Sequence, residues 1–287
     1  MKHFNLFMLL AVVPISLIAL TPPVKPKPAK LVKVWETDTT LRTPESVLYD
    51  GDNTLYVANI DGKPGDLDGS GFISKVTLDG KIENLRWTSG LNAPKGMGLY
   101  KKRLYVTDVY RLVCINTENG QAEKTWDAVG KGGFLNDVTI AKDGTVYVSD
   151  NQNDKIYRLK DEKWEVWLEG EQLNKPNGVL AVGKDKLMIG STKIGALRSV
   201  DVETKKITTL ADGMAATDGI VAEGKGNFFV SDWNGQIFHV GADGTNVQLL
   251  DTREQKINSA DIDYVANKKL LIVPTFYKNS LVAYRVE

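Results

Sequence analysis

Leu135-Asn136-Asp137-Val138-Thr139-Ile140, then Ala141-Lys142-Asp143-Gly144-Thr145, then Val146-Tyr147-Val148-Ser149-Asp150, is one unit of a repeat. It opens on a polar residue, runs through an apolar strand, turns on an Asp-Gly dipeptide of the kind that suits a tight hairpin, and returns as a second strand of β-branched and aromatic residues. The second strand recurs along the chain as LYVAN (55–59), LYVTD (104–108), LMIGS (187–191), FFVSD (228–232) and LLIVP (270–274). Lys225-Gly226 and Asp52-Asn53 mark two further turns. A third strand follows in each unit, at 71–78, 112–116, 155–159, 196–200, 236–240 and 281–286, and most units add an edge strand, as at 206–210 and 247–250. A period of about 40 residues built from short strands predicts a β-propeller. The reading is an all-β, six-bladed β-propeller with four-stranded blades. The last unit ends at Glu287 after its third strand. The unpartnered segment KLVKVW (30–35) is expected to supply the missing outer strand, close the ring and remove the exposed sheet edges.

The propeller accounts for residues 30–287. Ahead of it, Lys2 and His3 precede an uncharged run from Phe4 to Leu20, and the Pro-rich stretch TPPVKPKP (21–28) follows. Residues 1–20 read as a secretory signal peptide or an uncleaved N-terminal anchor, and residues 21–29 as a stiff linker. Leu17-Ile18-Ala19 lacks the small residue that a cleavage site wants at its first position, while a run of about 17 apolar residues is near the lower limit for a membrane span, so both readings stay open. Either way the chain is expected to be exported, to the periplasm or the extracellular space, with membrane contact only through residues 4–20. Lys+Arg and Asp+Glu are equal at 36 each in 287 residues, a balance that offers nucleic acid no electrostatic footprint. A monomer acting on a small molecule is expected. The single cysteine, Cys114, forbids an internal disulfide, and its setting Leu112-Val113-Cys114-Ile115 reads as a buried small hydrophobe.

Lys95, Asn136, Asn177 and Asp218 stand 41 residues apart from one another in turn, and the equivalent position upstream is Glu45. Equivalent positions of successive blades surround one axis, so these residues are expected to converge. The six units open on Pro44-Glu45, Pro94-Lys95-Gly96, Leu135-Asn136-Asp137, Pro176-Asn177-Gly178, Thr217-Asp218-Gly219 and Ser259-Ala260-Asp261. Polar groups at a narrow axis are costly to bury. A water-filled channel would accommodate them. The carboxylate pair Glu45 and Asp218, joined by two amides, points instead to one divalent cation held by Glu45, Asn136, Asn177 and Asp218, because like charges that close need neutralising. Oxygen donors favour Ca²⁺, with Mg²⁺, Mn²⁺ or Zn²⁺ as alternatives. The interval from Glu45 to Lys95 is longer than the others by nine residues, and the excess lies in the loop 60–71. That loop leaves its strand on the side of the polar ring and reads as a lid. Asp66, Asp68 and Ser70 alternate as at the start of a calcium loop, without its downstream Glu, so a second cation site is the competing reading.

These units resemble those of the senescence-marker-protein/gluconolactonase/luciferin-regenerating-enzyme family, six-bladed propellers with one central divalent cation. The resemblance covers about residues 31–287 and rests on Glu45 after the first linker, Asn136-Asp137 opening the third unit, Pro176-Asn177-Gly178 the fourth and Asp218-Gly219 the fifth. It implies that Glu45, Asn177 and Asp218 are metal ligands and that Asn136 is a ligand or a substrate contact. Three departures accompany it. Phe134 replaces an Arg usual in members acting on sugar lactones, Val138 replaces a Gly, and Glu45-Ser46-Val47 replaces Glu-Gly-Pro. With Phe134, Asn136 and Asp137 facing the substrate, the pocket is expected to prefer a hydrophobic lactone or ester over a sugar lactone.

The two histidines, His3 and His239, sit in the N-terminal segment and in a third strand, which argues against a histidine relay and a Ser-His-Asp triad. Asp108, Asp150 and Asp232, which end second strands, are expected to bond to turns, with Asp232 the best candidate for more. The expected activity is metal-dependent hydrolysis of a lactone or ester, with Asp218 as general base or nucleophile. Lys95 reads equally as a general acid, a substrate anchor or a counter-ion for Asp137 or Glu45. A non-catalytic propeller that binds a ligand or a protein is the alternative. A strictosidine-synthase-like enzyme, which uses a Glu without metal, is a weaker one that Asn177 and Asp218 argue against.

Overall fold

Alternate residues of each second strand are buried on opposite faces, and this decides how the sheets pack. Leu55 and Val57 join a core shared with the last sheet, while Tyr56 and Ala58 join a core shared with the next. Leu104 and Val106 face one neighbour, Tyr105 the other. Val146 and Val148 are set against Tyr147 in the same way, and Phe228 and Val230 against Phe229. Six apolar clusters result, each between two adjacent sheets. Cys114 is buried in one of them.

The computed structural model describes Met1, residues 29–130 and residues 132–287. The signal or anchor segment 4–20 and the Pro-rich stretch 21–28 lie outside the described residues. No helix of the described residues is long and apolar enough to cross a membrane. Six antiparallel four-stranded sheets form the blades of a propeller. Blade I is built from Pro44–Tyr49, Thr54–Asn59, Gly71–Thr77 and Ile82–Leu91. Blades II to V open with the inner strands Pro94–Tyr100, Leu135–Ile140, Pro176–Val182 and Thr217–Gly224. Blade VI runs Asp263–Val265, Leu270–Pro274 and Leu281–Val286, and its outer strand is Leu31–Glu36 from the N-terminus, paired Leu31 to Val286. The closure expected from KLVKVW is thus observed. The ring also closes on the inside, where the Asp261 amide donates to the Glu45 carbonyl (2.9 Å) and the Val47 amide to the Asp261 carbonyl (3.3 Å).

Five inner strands begin with a register irregularity just after their first residue, at Pro44/Ser46, Pro94/Met97, Leu135/Val138, Pro176/Val179 and Thr217/Ile220. A bulge re-aims side chains, and here it frees Glu45, Lys95-Gly96, Asn136-Asp137, Asn177-Gly178 and Asp218-Gly219 from the ladder. Second strands satisfy the backbone groups so released. Thr107 donates to the Asn136 carbonyl, Ser149 accepts from the Asp137 amide (2.9 Å), and Ser231 accepts from the Gly219 amide (2.8 Å) while donating to the Ala260 carbonyl (2.8 Å). The glycines have a steric reason. A Cβ on Gly178 would overlap the Asp218 carbonyl oxygen, one on Gly96 the Asp137 backbone, and one on Gly219 the backbone at Ile262.

The terminal strand is latched by Glu36, which accepts from Lys33 (2.6 Å), Lys278 (2.8 Å) and Ser280 (3.0 Å). Partial burial works against its charge, but the bonds from Lys278, Lys33 and Ser280 prevail and hold its pKa down to about 2, against an ordinary 4.5. A depressed carboxyl pKa stabilises above its unfolded value and loses that contribution as pH falls through the folded one. Glu36→Gln is therefore expected to cost about 0.5–1.5 kcal/mol at neutral pH. In urea unfolding, the gap between the variant and the natural chain closes as pH drops from about 4.5 towards 2. Gly178→Ala gives a second test. Replacing a glycine usually stabilises by about 0.4–1 kcal/mol through the unfolded chain. Overlap with a backbone oxygen reverses the sign here, and a loss of about 1–3 kcal/mol or more is expected in a thermal melt.

Candidate functional site

The released positions divide between two cavities at opposite ends of the axis. Glu45, Lys95, Asn136, Asn177 and Asp218 line a cavity of about 270 Å³ at one end. Asp137 does not join them. It lines a cavity of about 210 Å³ at the other end, with Asp261 and Asp263. A side chain adjacent to Asn136 was expected to share its pocket, but across the bulge successive residues point opposite ways. The substrate-contact role expected of Asp137 is corrected accordingly, since Asp137 faces away from the pocket that holds Asn136.

The floor of the upper pocket is buried: Glu45 is 5% exposed, Asn136 7%, Asn177 9% and Asp218 1%. Asn177 Nδ2 donates to Asp218 Oδ1 at 2.7 Å, which orients both side chains and leaves Asn177 Oδ1 and Asp218 Oδ2 free. Those two atoms, with Glu45 Oε2 and Asn136 Oδ1, are buried without a hydrogen-bond partner. Each of the four residues thus lines the same cavity and carries one buried, unpaired oxygen. Burial pushes the carboxyls of Glu45 and Asp218 well above the usual range, and the neighbouring charges of Asp218, Asp137 and Asp261 push Glu45 further. Among the described residues no three His, Cys, Asp or Glu side chains form a metal-binding group. The set here has two carboxylates and two amides.

Lys95 is 1% exposed. Among the described residues its ammonium has one hydrogen-bond partner, the Ala93 carbonyl oxygen at 3.2 Å. It also lies 4.4 Å from the centre of the Phe134 ring, so two residues that look like separate oddities in sequence touch in the structure. Burial draws its pKa down to about 8, against the opposing pull of Glu45 and Asp108. Asp108 is engaged elsewhere, by Arg111 (2.7 Å) and by the Asn92 and Ala93 amides (2.8 Å each).

Asp150 and Asp232 behave like Asp108. Asp150 accepts from the Phe134 amide (3.2 Å), and Asp232 from the Ala215 and Ala216 amides (2.6 and 2.9 Å). Each holds the loop that leads into its own blade's inner strand, which is the turn-bonding role expected of them. His239 pairs with Glu223 at 2.9 Å on blade V. It does not line the pocket.

The walls are largely apolar: Ile60, Pro64, Phe134, Trp233 and Phe276. Ile60 and Phe276 pack with Ala93, Val109, Ala260 and Trp233 in a small cluster of their own. Trp233 meets Phe276 edge to face at 5.3 Å. Phe276 has φ 50°, a left-handed backbone that a bulky residue rarely adopts. The loop 60–71 contributes Ile60 and Pro64, as a lid on this side would. Its Asp66 accepts from the Lys63 amide (2.8 Å) and Asp68 from the Ser70 amide (2.9 Å), so both carboxylates bind the loop itself. Trp233 and the polar wall residues Asn151 and Thr192 escaped the sequence reading. The signal was present: Asn151, Thr192 and Trp233 repeat the 41-residue spacing one position after the second strands.

No family model and no curated protein sequence matches this chain. Solved structures do. A gluconolactonase from Xanthomonas campestris superposes with a TM-score of 0.69 at 14% identity over 90% of each chain. A catalytically inactive virginiamycin B lyase from Staphylococcus aureus, solved with quinupristin, gives 0.64 at 14% identity over 90% of this chain and 99% of that one. A Bacteroides thetaiotaomicron protein of unknown function gives 0.65 at 11% over 91% and 76%. At these identities the likeness is one of overall architecture, and the six blades are those of this chain's own sheets.

Proposed function

We propose that this chain is a gluconolactonase-like hydrolase that uses one divalent cation to open an apolar lactone or ester. One observation carries the reading: Glu45 Oε2, Asn136 Oδ1, Asn177 Oδ1 and Asp218 Oδ2 are all buried and unpaired, on four residues that line one cavity. Leaving a single buried acceptor unsatisfied costs about 1–3 kcal/mol, so four together fit a cation that satisfies them at once. The donors are oxygens only, and two of them are carboxylates, which matches Ca²⁺ in charge and chemistry. When bound there, such an ion supplies Lewis-acid polarisation of a substrate carbonyl and stabilises the negative charge that builds on its oxygen.

The chain's own groups supply the rest. Asn177 fixes Asp218 through Oδ1, and Oδ2, with two lone pairs, can hold the cation with one and accept a proton from water, or act as the nucleophile, with the other. Ile60, Phe134, Trp233 and Phe276 exclude bulk water and take the apolar part of the substrate. Several large apolar side chains that stay exposed, Leu67, Tyr110, Ile194 and Tyr277, lie in the loops after second strands and so on the face where the pocket opens. The same walls that disfavour a sugar lactone favour a greasier ring.

The test is metal titration with a substrate panel. Ca²⁺ at about 100 times its Kd is expected to stabilise by about 2.7 kcal/mol, or roughly 5–10 °C in melting temperature. Chelation should remove both this gain and the hydrolysis of aliphatic lactones and aryl esters. Asp218→Asn should lower kcat/KM by about 100-fold or more. A melt that no divalent cation moves would overturn the metal site. Cation binding with no turnover across the panel would support the non-catalytic binding alternative.

A further inference from the structure

The upper pocket holds one charge that the cation reading does not use. Glu45 and Asp218 carry two negative charges, which balance one divalent cation. Lys95 is then left over. An ammonium has three donors, and only one acceptor within the described protein, the Ala93 carbonyl, meets it. Two carboxylates pull on Lys95, Glu45 and then Asp108; Glu45 is taken by the cation in that reading, and Asp108 is already held by Arg111 and two backbone amides. Phe134 covers one side of the ammonium, and Lys95 lines the cavity. A buried cation without a counter-ion or a full set of acceptors is costly unless a ligand completes it.

We propose that Lys95, backed by Phe134, is the anion-binding residue of this pocket, and that the substrate pairs a carboxylate with an apolar, aromatic-sized body. For the position of the reacting carbonyl this rests on the hydrolase reading above; the anion contact rests on Lys95 itself. Phe134 leaves an ammonium on one wall, and Trp233 with Phe276 forms an aromatic edge on another. A small aryl or alkyl carboxylate fits both features, whereas a neutral sugar ring fits neither.

Binding and turnover test this separately. Phenylacetate and its neutral isostere phenylacetamide are titrated into the full chain with Ca²⁺ present, and the fluorescence of Trp233, the tryptophan that lines the pocket, is followed with Trp233→Phe as the blank. Phenylacetate is expected to bind at least about 10-fold more tightly. Lys95→Met should abolish the preference and Lys95→Arg should keep part of it, with thermal melts showing that each variant folds. If Lys95→Met fails to fold, the natural chain's own preference for phenylacetate decides the matter. In kinetics, the 4-nitrophenyl monoester of glutaric acid should exceed 4-nitrophenyl valerate by a similar factor, mainly through KM. Equal binding of the two probes, or a preference that survives Lys95→Met, overturns the proposal. Equal turnover of the two esters also overturns it and leaves the hydrolase reading standing. Phenylacetate binding that is lost in Lys95→Met, without any ester turnover, supports the anion site and sinks the hydrolase.

Discussion

The inner strands crowd so closely around the axis that a methyl group on Gly178 would overlap the Asp218 carbonyl, and the rest of the site depends on that crowding. Strands this close leave no room for two side chains per position to face the same way. Bulges at the strand openings resolve the conflict by sending one residue of each pair into the upper pocket. Its partner is a glycine that lies against the next blade, or, in blade III, Asp137, which faces the lower cavity. Thr107, Ser149 and Ser231 then satisfy backbone groups that the bulges release. The polar ring is held by backbone geometry more than by contacts among its own side chains.

That geometry has an electrostatic consequence. Glu45 and Asp218 are buried together, with Asp137 and Asp261 beneath them, and each carboxyl is pushed well above its usual range. Lys95, close enough to be felt by Glu45, is bonded to a carbonyl and covered by a ring instead of forming a close ion pair. Such an arrangement is a poor way to stabilise a fold, because buried charge is repaid only by near-complete pairing. It is a reasonable way to hold a site whose remaining partners come from solution.

The blades could be read from sequence because their second strands are buried on both faces. Both phases of the strand then become apolar, and LYVTD, VYVSD and FFVSD stand out with no alignment. The outer strand from the N-terminus was readable for a different reason: Leu31–Glu36 has no local partner, and the last blade lacked a strand. The pocket walls were less visible. Trp233 repeats the spacing of Asn151 and Thr192, but its neighbour Asp232 has the more chemical side chain and drew attention to itself. Asp232 turns out to hold the loop at Ala215 and Ala216.

Periodicity alone determined the architecture, the number of blades and the convergence of Glu45, Lys95, Asn136, Asn177 and Asp218, because a repeat maps each unit onto the same place in a ring. Tertiary structure alone decided which way each side chain points and what it meets. A bulge too local to leave a mark in the sequence pattern separates Asp137 from Asn136. Lys95 and Phe134, 39 positions apart in the sequence, touch only because neighbouring blades bring a strand opening and the loop before the next strand together. Spacing carries the symmetry of the fold; the chemistry of the pocket comes from the places where individual blades depart from it.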